Sequence, residues 1–245
     1  MPVARSLPLL FGVLAFVSSG HAGAGVFLRW DQCLSDGGAQ NKAFACNVNT
    51  GKETLVGGFE LGADMTRPAS GNEITLDIAS ASVTLPAWWQ FRNAGTCRQT
   101  SLTMNFVVSP LAINCVDWAS GVATGAIGAY TIGLRGPNTA RIFAAASVPV
   151  GIPEDPVAGQ EYFSFNLVIS NEKTAGDGSC AGCQTPVCLY FTRLAVTTAV
   201  AADNLTLSGP ANGVDSDVAT WQGGALCLFT PTVQRTWGGV KALYR

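Results

Sequence analysis

Proton-transfer chemistry near neutral pH rests mainly on histidine, and this chain has a single one, His21, inside an N-terminal segment that reads as an export signal. Ser-His-Asp and Cys-His nucleophile systems, the HExxH helix and the common catalytic zinc sites all need imidazole. A processed chain is therefore expected to use none of them. Carboxylates remain, and a glycosidase-type pair needs one acid of raised pKa with a second held nearby. Among the 16 Asp and Glu residues, Glu60 and Glu161 stand in strand-like segments and Asp117 precedes Trp118, yet spacing alone singles out no pair. Asp215-Ser216-Asp217 and Asp177 could offer oxygens to calcium, but neither has the full ligand spacing of a calcium loop, and turn chemistry accounts for both. The expectation is no catalytic residue, no metal and no cofactor.

All eight cysteines lie beyond the signal. Cys180, Cys183, Cys188 and Cys227 could form a four-thiolate zinc knot, or Cys180-Ala181-Gly182-Cys183 a redox motif, but oxidation competes with zinc in an exported protein and no helix is predicted behind the motif. Disulfides are the expectation. The short loops favour Cys33–Cys46 and Cys97–Cys115, each worth on the order of 3 kcal/mol in the chain-entropy model. The last four cysteines allow three pairings. Cys180–Cys183 with Cys188–Cys227 is preferred, because Cys188 and Cys227 both sit in apolar strand-like segments.

Aromatic residues offer binding rather than catalysis. In a strand, adjacent Trp88 and Trp89 point to opposite faces, so one anchors the core and the other is left for solvent or a partner. With Gln90, Arg92 and Asn93 close by, an exposed tryptophan suits a saccharide ring through apolar stacking and polar fixing. Trp88, Trp89, Gln90 and Arg92 are the ligand-binding candidates. The competing role for these tryptophans is core packing.

The elements that must position these residues are strands. Period-2 alternation marks Ile74-Leu76-Ile78, Leu102-Met104-Phe106 and Phe163-Phe165-Leu167-Ile169, each with one buried face. Weaker strands are expected at 26–30, 54–60, 87–91, 127–134, 140–148, 187–197 and 225–229. Turn signals such as Asp36-Gly37-Gly38 and Arg135-Gly136-Pro137-Asn138 punctuate them. About ten short strands of this kind read as an all-β, antiparallel, jelly-roll-like sandwich, braced by disulfides and forming one domain over residues 25–245. Ahead of it, Arg5, an apolar run from Leu7 to Val17 and Ala22-Gly23-Ala24 read as a signal peptide over residues 1–24. The run is too short to span a bilayer. Its removal takes one basic and no acidic residue, moving the formal net charge from −2 to −3, and no basic patch points to nucleic acid.

Residues 86–97, the Cys180-Ala181-Gly182-Cys183 and Pro186-Val187-Cys188 segments, Thr220-Trp221-Gln222-Gly223-Gly224 and the terminal Trp237-Gly238-Gly239-Val240-Lys241-Ala242-Leu243-Tyr244-Arg245 resemble a family of secreted proteins from environmental bacteria with no assigned activity. The resemblance implies a bacterial, exported, single-domain protein and says nothing of chemistry. Residues 236–245 read either as a docked final element or as a sorting tag. The reading reached is a secreted, non-catalytic binding, cell-surface or assembly module. The alternatives are a carbohydrate-binding module or a histidine-free glycoside hydrolase built on a carboxylate pair. Carbohydrate, or a second copy meeting a strand edge, are the expected partners.

Overall fold

The computed structural model describes residues 23–63, 68–108, 115–149, 155–211 and 215–223. Nearly all of the signal segment, the expected strand at 225–229, Cys227, Trp237 and residues 236–245 lie outside them. The chain forms β1 (Gly25–Trp30), β2 (Asn41–Lys42), β3 (Lys52–Glu60), β4 (Gly71–Ser80), β5 (Leu102–Asn105), β6 (Val116–Asp117), β7 (Thr124–Ile132), β8 (Thr139–Ser147), β9 (Glu161–Ser170), β10 (Val187–Thr197), β11 (Leu205–Leu207) and β12 (Val218–Trp221). Two sheets result. The smaller runs β1-β3-β9-β5 with β6 added to β9; the larger runs β2-β12-β10-β4-β8-β7 with β11 added to β10. Pairing is antiparallel except for the short β2–β12 and β6–β9 contacts. The expected all-β, disulfide-braced sandwich is the architecture found.

The main core lies between the sheets, where Leu55, Phe59, Leu76, Ile78, Ile142, Phe165, Leu167, Leu189 and Phe191 meet. Alternation places them there, since one face of each strand must leave water. β9 departs from its simple alternation. Between Phe163 and Phe165 the register with Gly57 and Gly58 of β3 shifts by one residue. Ser164 is the extra residue, and the bulge reverses the facing of everything before it. Phe165 therefore points into the main core while Phe163 joins Phe27, Val56, Cys33 and Cys115 in a second cluster on the far side of the smaller sheet. A Cβ on Gly57 would overlap the Phe165 ring and one on Gly58 the Phe27 ring, so this glycine pair makes the crossover possible.

Expected strand 87–91 is replaced by a short 3-10 turn, Ala87–Trp89. Pro86 at its entry fixes φ for a turn and lacks the N–H a ladder needs. Trp88 and Trp89 then both point inward, each fully buried.

The disulfides found are Cys33–Cys115, Cys46–Cys183 and Cys97–Cys180. They replace the expected local pairs Cys33–Cys46, Cys97–Cys115 and Cys180–Cys183, and they take up two thiols of the candidate zinc knot. Cys188 is also disulfide-bonded. Its expected partner, Cys227, lies outside the described residues. Each local pair gives way to a partner more than 80 positions away that the fold brings alongside. Cys33 closes over the second cluster with Cys115, whereas Cys46 reaches the Cys180-Ala181-Gly182-Cys183 turn at one end of the sandwich.

Candidate functional site

The tryptophan candidates belong to that closed end. Trp30, Phe44, Trp221, Trp88, Trp89, Phe91 and Tyr130 form one run of aromatic contacts, with Phe44 stacked on Trp221 at 3.8 Å and Trp88 against Trp221 at 4.8 Å. Trp88 donates its ring N–H to Thr174, and Trp221 donates to the Cys183 carbonyl at 2.7 Å. Arg98, fully buried, lies 3.6 Å over the Trp88 ring. Its guanidinium donates to the carbonyls of Trp88, Glu172 and Ser170. Burial pushes Arg98 down to about 9, with Glu172 and Tyr130 opposing, so it stays charged at neutral pH. Burial raises the Tyr130 phenol, whose hydroxyl donates to the Trp89 carbonyl. Gln90 donates to the Leu85 carbonyl and Arg92 to the Ile127 carbonyl. Neither tryptophan is open to a ligand, and Gln90 and Arg92 brace the loop around them. The proposed saccharide platform is thus corrected to a packed aromatic core, because turning the strand into a 3-10 turn brings both rings to one side.

The acids weighed from the sequence are also placed. Glu60 and Glu161 are directly opposite each other across β3 and β9, a proximity that depends on the β9 bulge. Both Glu161 oxygens accept backbone N–H groups, from Leu34 at 2.7 Å and Ser35 at 2.8 Å, fixing the loop that carries Cys33. Asp117 accepts from Ala119 and Gly121 and closes a turn. Ser216, between Asp215 and Asp217, donates to the carbonyls of Val26 and Ala211.

A cavity of about 420 Å³ opens instead on the outer face of the larger sheet, lined by Asp77, Ile78, Arg135, Thr139, Tyr190, Thr192, Ser208, Gly209 and Asp217. That volume falls in the usual small-molecule range of roughly 300–1,000 Å³. Its floor carries Asp77 of β4 opposite Tyr190 of β10, and Arg141 of β8 stands opposite Asp77 on the other side. Residues paired across an antiparallel sheet share a face, and here that face looks away from the core. The wall follows from a second bulge, at Thr192, where the β10 register against β4 shifts. β12 pairs with β10 before this point and β11 after it. In the gap between them, Phe191 donates its N–H to the Asp217 carbonyl at 2.8 Å. The turn bearing Asp217 and the residues after β11 are thereby drawn against the cavity.

Charge in the cavity is balanced. Asp77 accepts from Arg141 Nε at 2.7 Å and from a terminal nitrogen at 2.8 Å, a bidentate pair, and Arg135 Nε lies 3.3 Å from its second oxygen. The hydrogen bond to Asp77 raises the Arg141 pKa. Asp217, half-buried, is raised as well, first by desolvation and then by Asp215, while its own backbone N–H and Arg29 act in the other direction. The Arg135 guanidinium, the carboxyl groups of Asp77 and Asp217 and the hydroxyls of Tyr190, Thr139, Thr192 and Ser208 thus line one space, with Arg141 holding Asp77 from outside it. In the sequence, the alternation of Ile74, Leu76 and Ile78 implies only that Asp77 faces outward. The pairing with Arg141 depends on strand register, which a single sequence does not display.

Comparison of the chain with protein-family models, with curated proteins and with solved structures finds no match in any of the three.

Proposed function

We propose that the protein is a secreted, non-catalytic binding module that holds a neutral saccharide in the cavity on the outer face of its larger sheet. The observation that carries this reading is the state of Asp77, whose two oxygens are both occupied by guanidinium groups. A carboxylate held by two guanidinium groups is weakened as nucleophile or base while keeping room to accept a further hydrogen bond. The same Asp77–Arg141–Arg135 set and its hydroxyl neighbours are well suited to polyol hydrogen bonding, with the half-buried Tyr190 ring as an apolar contact. Balanced charge favours a neutral ligand over an ionic one. Disulfides between distant segments and the signal-like N-terminus support an oxidising compartment outside the cytosol.

The test is calorimetric titration with a panel of neutral mono- and oligosaccharides. Binding is expected for at least one, and Tyr190→Ala or Arg135→Ala should weaken it roughly tenfold or more with the melting temperature little changed. If no sugar of the panel binds at millimolar concentration, or both variants bind like the wild type, the reading fails.

One observation favours a glycoside hydrolase: Asp217, whose carboxyl pKa burial raises, lines the same cavity as a second acid, Asp77. Under that reading the protein releases reducing ends from an oligosaccharide and Asp217→Asn stops the release. Under the binding reading no reducing ends form.

A further inference from the structure

We propose that the ligand is a chain and not a single sugar: a neutral oligosaccharide runs out of the cavity across the outer face of the larger sheet and stacks a further ring on Phe143. This rests on the saccharide reading above and adds to it a second aromatic contact and a minimum ligand length. Phe143 follows Arg141 by two positions on β8, so it shares the face on which Arg141 meets Asp77 and Asp77 meets Tyr190. Its cross-strand neighbours are Thr75 of β4 and Ala129 of β7, and the next outward residue along β8 is Ala145. None of these side chains is large enough to cover a phenyl ring, and Phe143 is 39% exposed. β7 is bulged at Gly128, where a Cβ would come within 3.3 Å of the Phe143 ring. Bare backbone at that point gives the ring a surface to lie against.

Spacing sets the length of the ligand. From Tyr190 to Phe143 is two strands across and two residues along, about 12 Å between Cα atoms at ordinary strand spacing and rise. One pyranose ring does not reach both side chains, whereas two or three linked rings do. Between the two aromatics lies the Asp77–Arg141 pair, with Arg141 on the Phe143 side of the cavity. Aromatic ring, hydrogen-bonding pair, aromatic ring is an order that suits a polyol chain, whose sugar rings have apolar C–H faces and hydroxyl rims. Charge and area disfavour other occupants. Asp77 is matched by arginine, and the Glu73–Arg193 pair on the same face closes at 3.4 Å, so neither sign is left in excess for an ionic polymer. A protein partner ordinarily covers about 800 Å², but here a lone phenyl ring stands among alanines, threonines and ion pairs.

The test is calorimetric titration of the full chain with matched series of neutral sugars: glucose with maltose and maltotriose, glucose with cellobiose and cellotriose, xylose with xylobiose and xylotriose, mannose with mannobiose and mannotriose. In a series that binds, the trisaccharide should bind roughly three- to tenfold more tightly than the monosaccharide. Phe143→Leu should remove that gain and leave the monosaccharide affinity unchanged, Phe143→Trp should keep the gain, and Tyr190→Ala should weaken binding at every length. Circular dichroism and melting curves check that the variants fold. A monosaccharide that binds as tightly as its trisaccharide overturns the chain proposal and leaves the cavity reading in place, as does a gain with length that survives Phe143→Leu. Absence of binding by every sugar overturns both.

Discussion

Arg98 shows how one side chain can hold an end of the molecule. It stacks on Trp88 and supplies donors to the carbonyls of Trp88, Ser170 and Glu172, the first of them buried. Arg98→Ala should cost at least about 3 kcal/mol in denaturant unfolding, through lost packing and orphaned acceptors. Arg98→Lys should recover little of it, because an ammonium has neither the planar fork nor the stacking face. Asp217 works in the opposite direction. Its folded pKa lies above the ordinary 3.8, so between 3.8 and the raised value the native state binds more protons than the unfolded one. Stability from this group therefore falls as pH rises through that window. Asp217→Asn should raise the melting temperature at pH 7 and have little effect at pH 3, which thermal melts at the two values would establish. Such residues were only partly legible from the sequence. The Ile74-Leu76-Ile78 alternation implies an outward face for Asp77, but Arg98 gave no signal, since nothing in the local pattern shows a charge stacked on a tryptophan ten positions away. Trp88, Trp89, Gln90 and Arg92 were misplaced for want of one datum, the direction of the backbone after Pro86.

Among the elements, most strands were legible and their irregularities were not. Alternation in β4, β5 and β8 reports burial directly, because each of these strands has one face on the core. Bulges at Ser164 and Thr192 leave no period of their own, yet each redirects the side chains beyond it; the first brings Glu60 opposite Glu161 and the second opens the gap beside the cavity. The short strands β2, β6, β11 and β12 exist only through their partners and have no readable pattern. The Cys180-Ala181-Gly182-Cys183 turn is the element most sensitive to change. Gly182 has φ +108° and a Cβ there would overlap Pro86, so both backbone conformation and space require glycine. Gly182→Ala should destabilise by roughly 2–4 kcal/mol, measured by chemical denaturation. A pH-independent loss would separate it from the effect at Asp217.

On the scale of the whole molecule, stability rests on covalent links between distant parts of the chain. Cys46–Cys183 spans 137 residues, and Cys33–Cys115 and Cys97–Cys180 span 82 and 83. In the chain-entropy model a loop as long as the first contributes up to about 5 kcal/mol. The double variant Cys46→Ala/Cys183→Ala should lose a large part of that in guanidinium unfolding, the two remaining links limiting the loss. That cysteines would form disulfides was legible from composition and the signal-like N-terminus, but their pairing was not, because proximity in sequence, which favours the near pairs, says nothing of which distant segments the fold brings together.

The same bias acts on the chain as it is made. Cys46 follows Cys33 by 13 positions, and both emerge well before Cys115 and Cys183. An oxidant that simply joins thiols in order of appearance would trap Cys33–Cys46, then Cys97–Cys115, then Cys180–Cys183, and each of these is non-native. Every native link must therefore wait for a late cysteine or be recovered by thiol–disulfide exchange. Maturation of this protein should depend on an isomerase as well as an oxidase, and a host supplying only the second should accumulate scrambled, protease-sensitive chains.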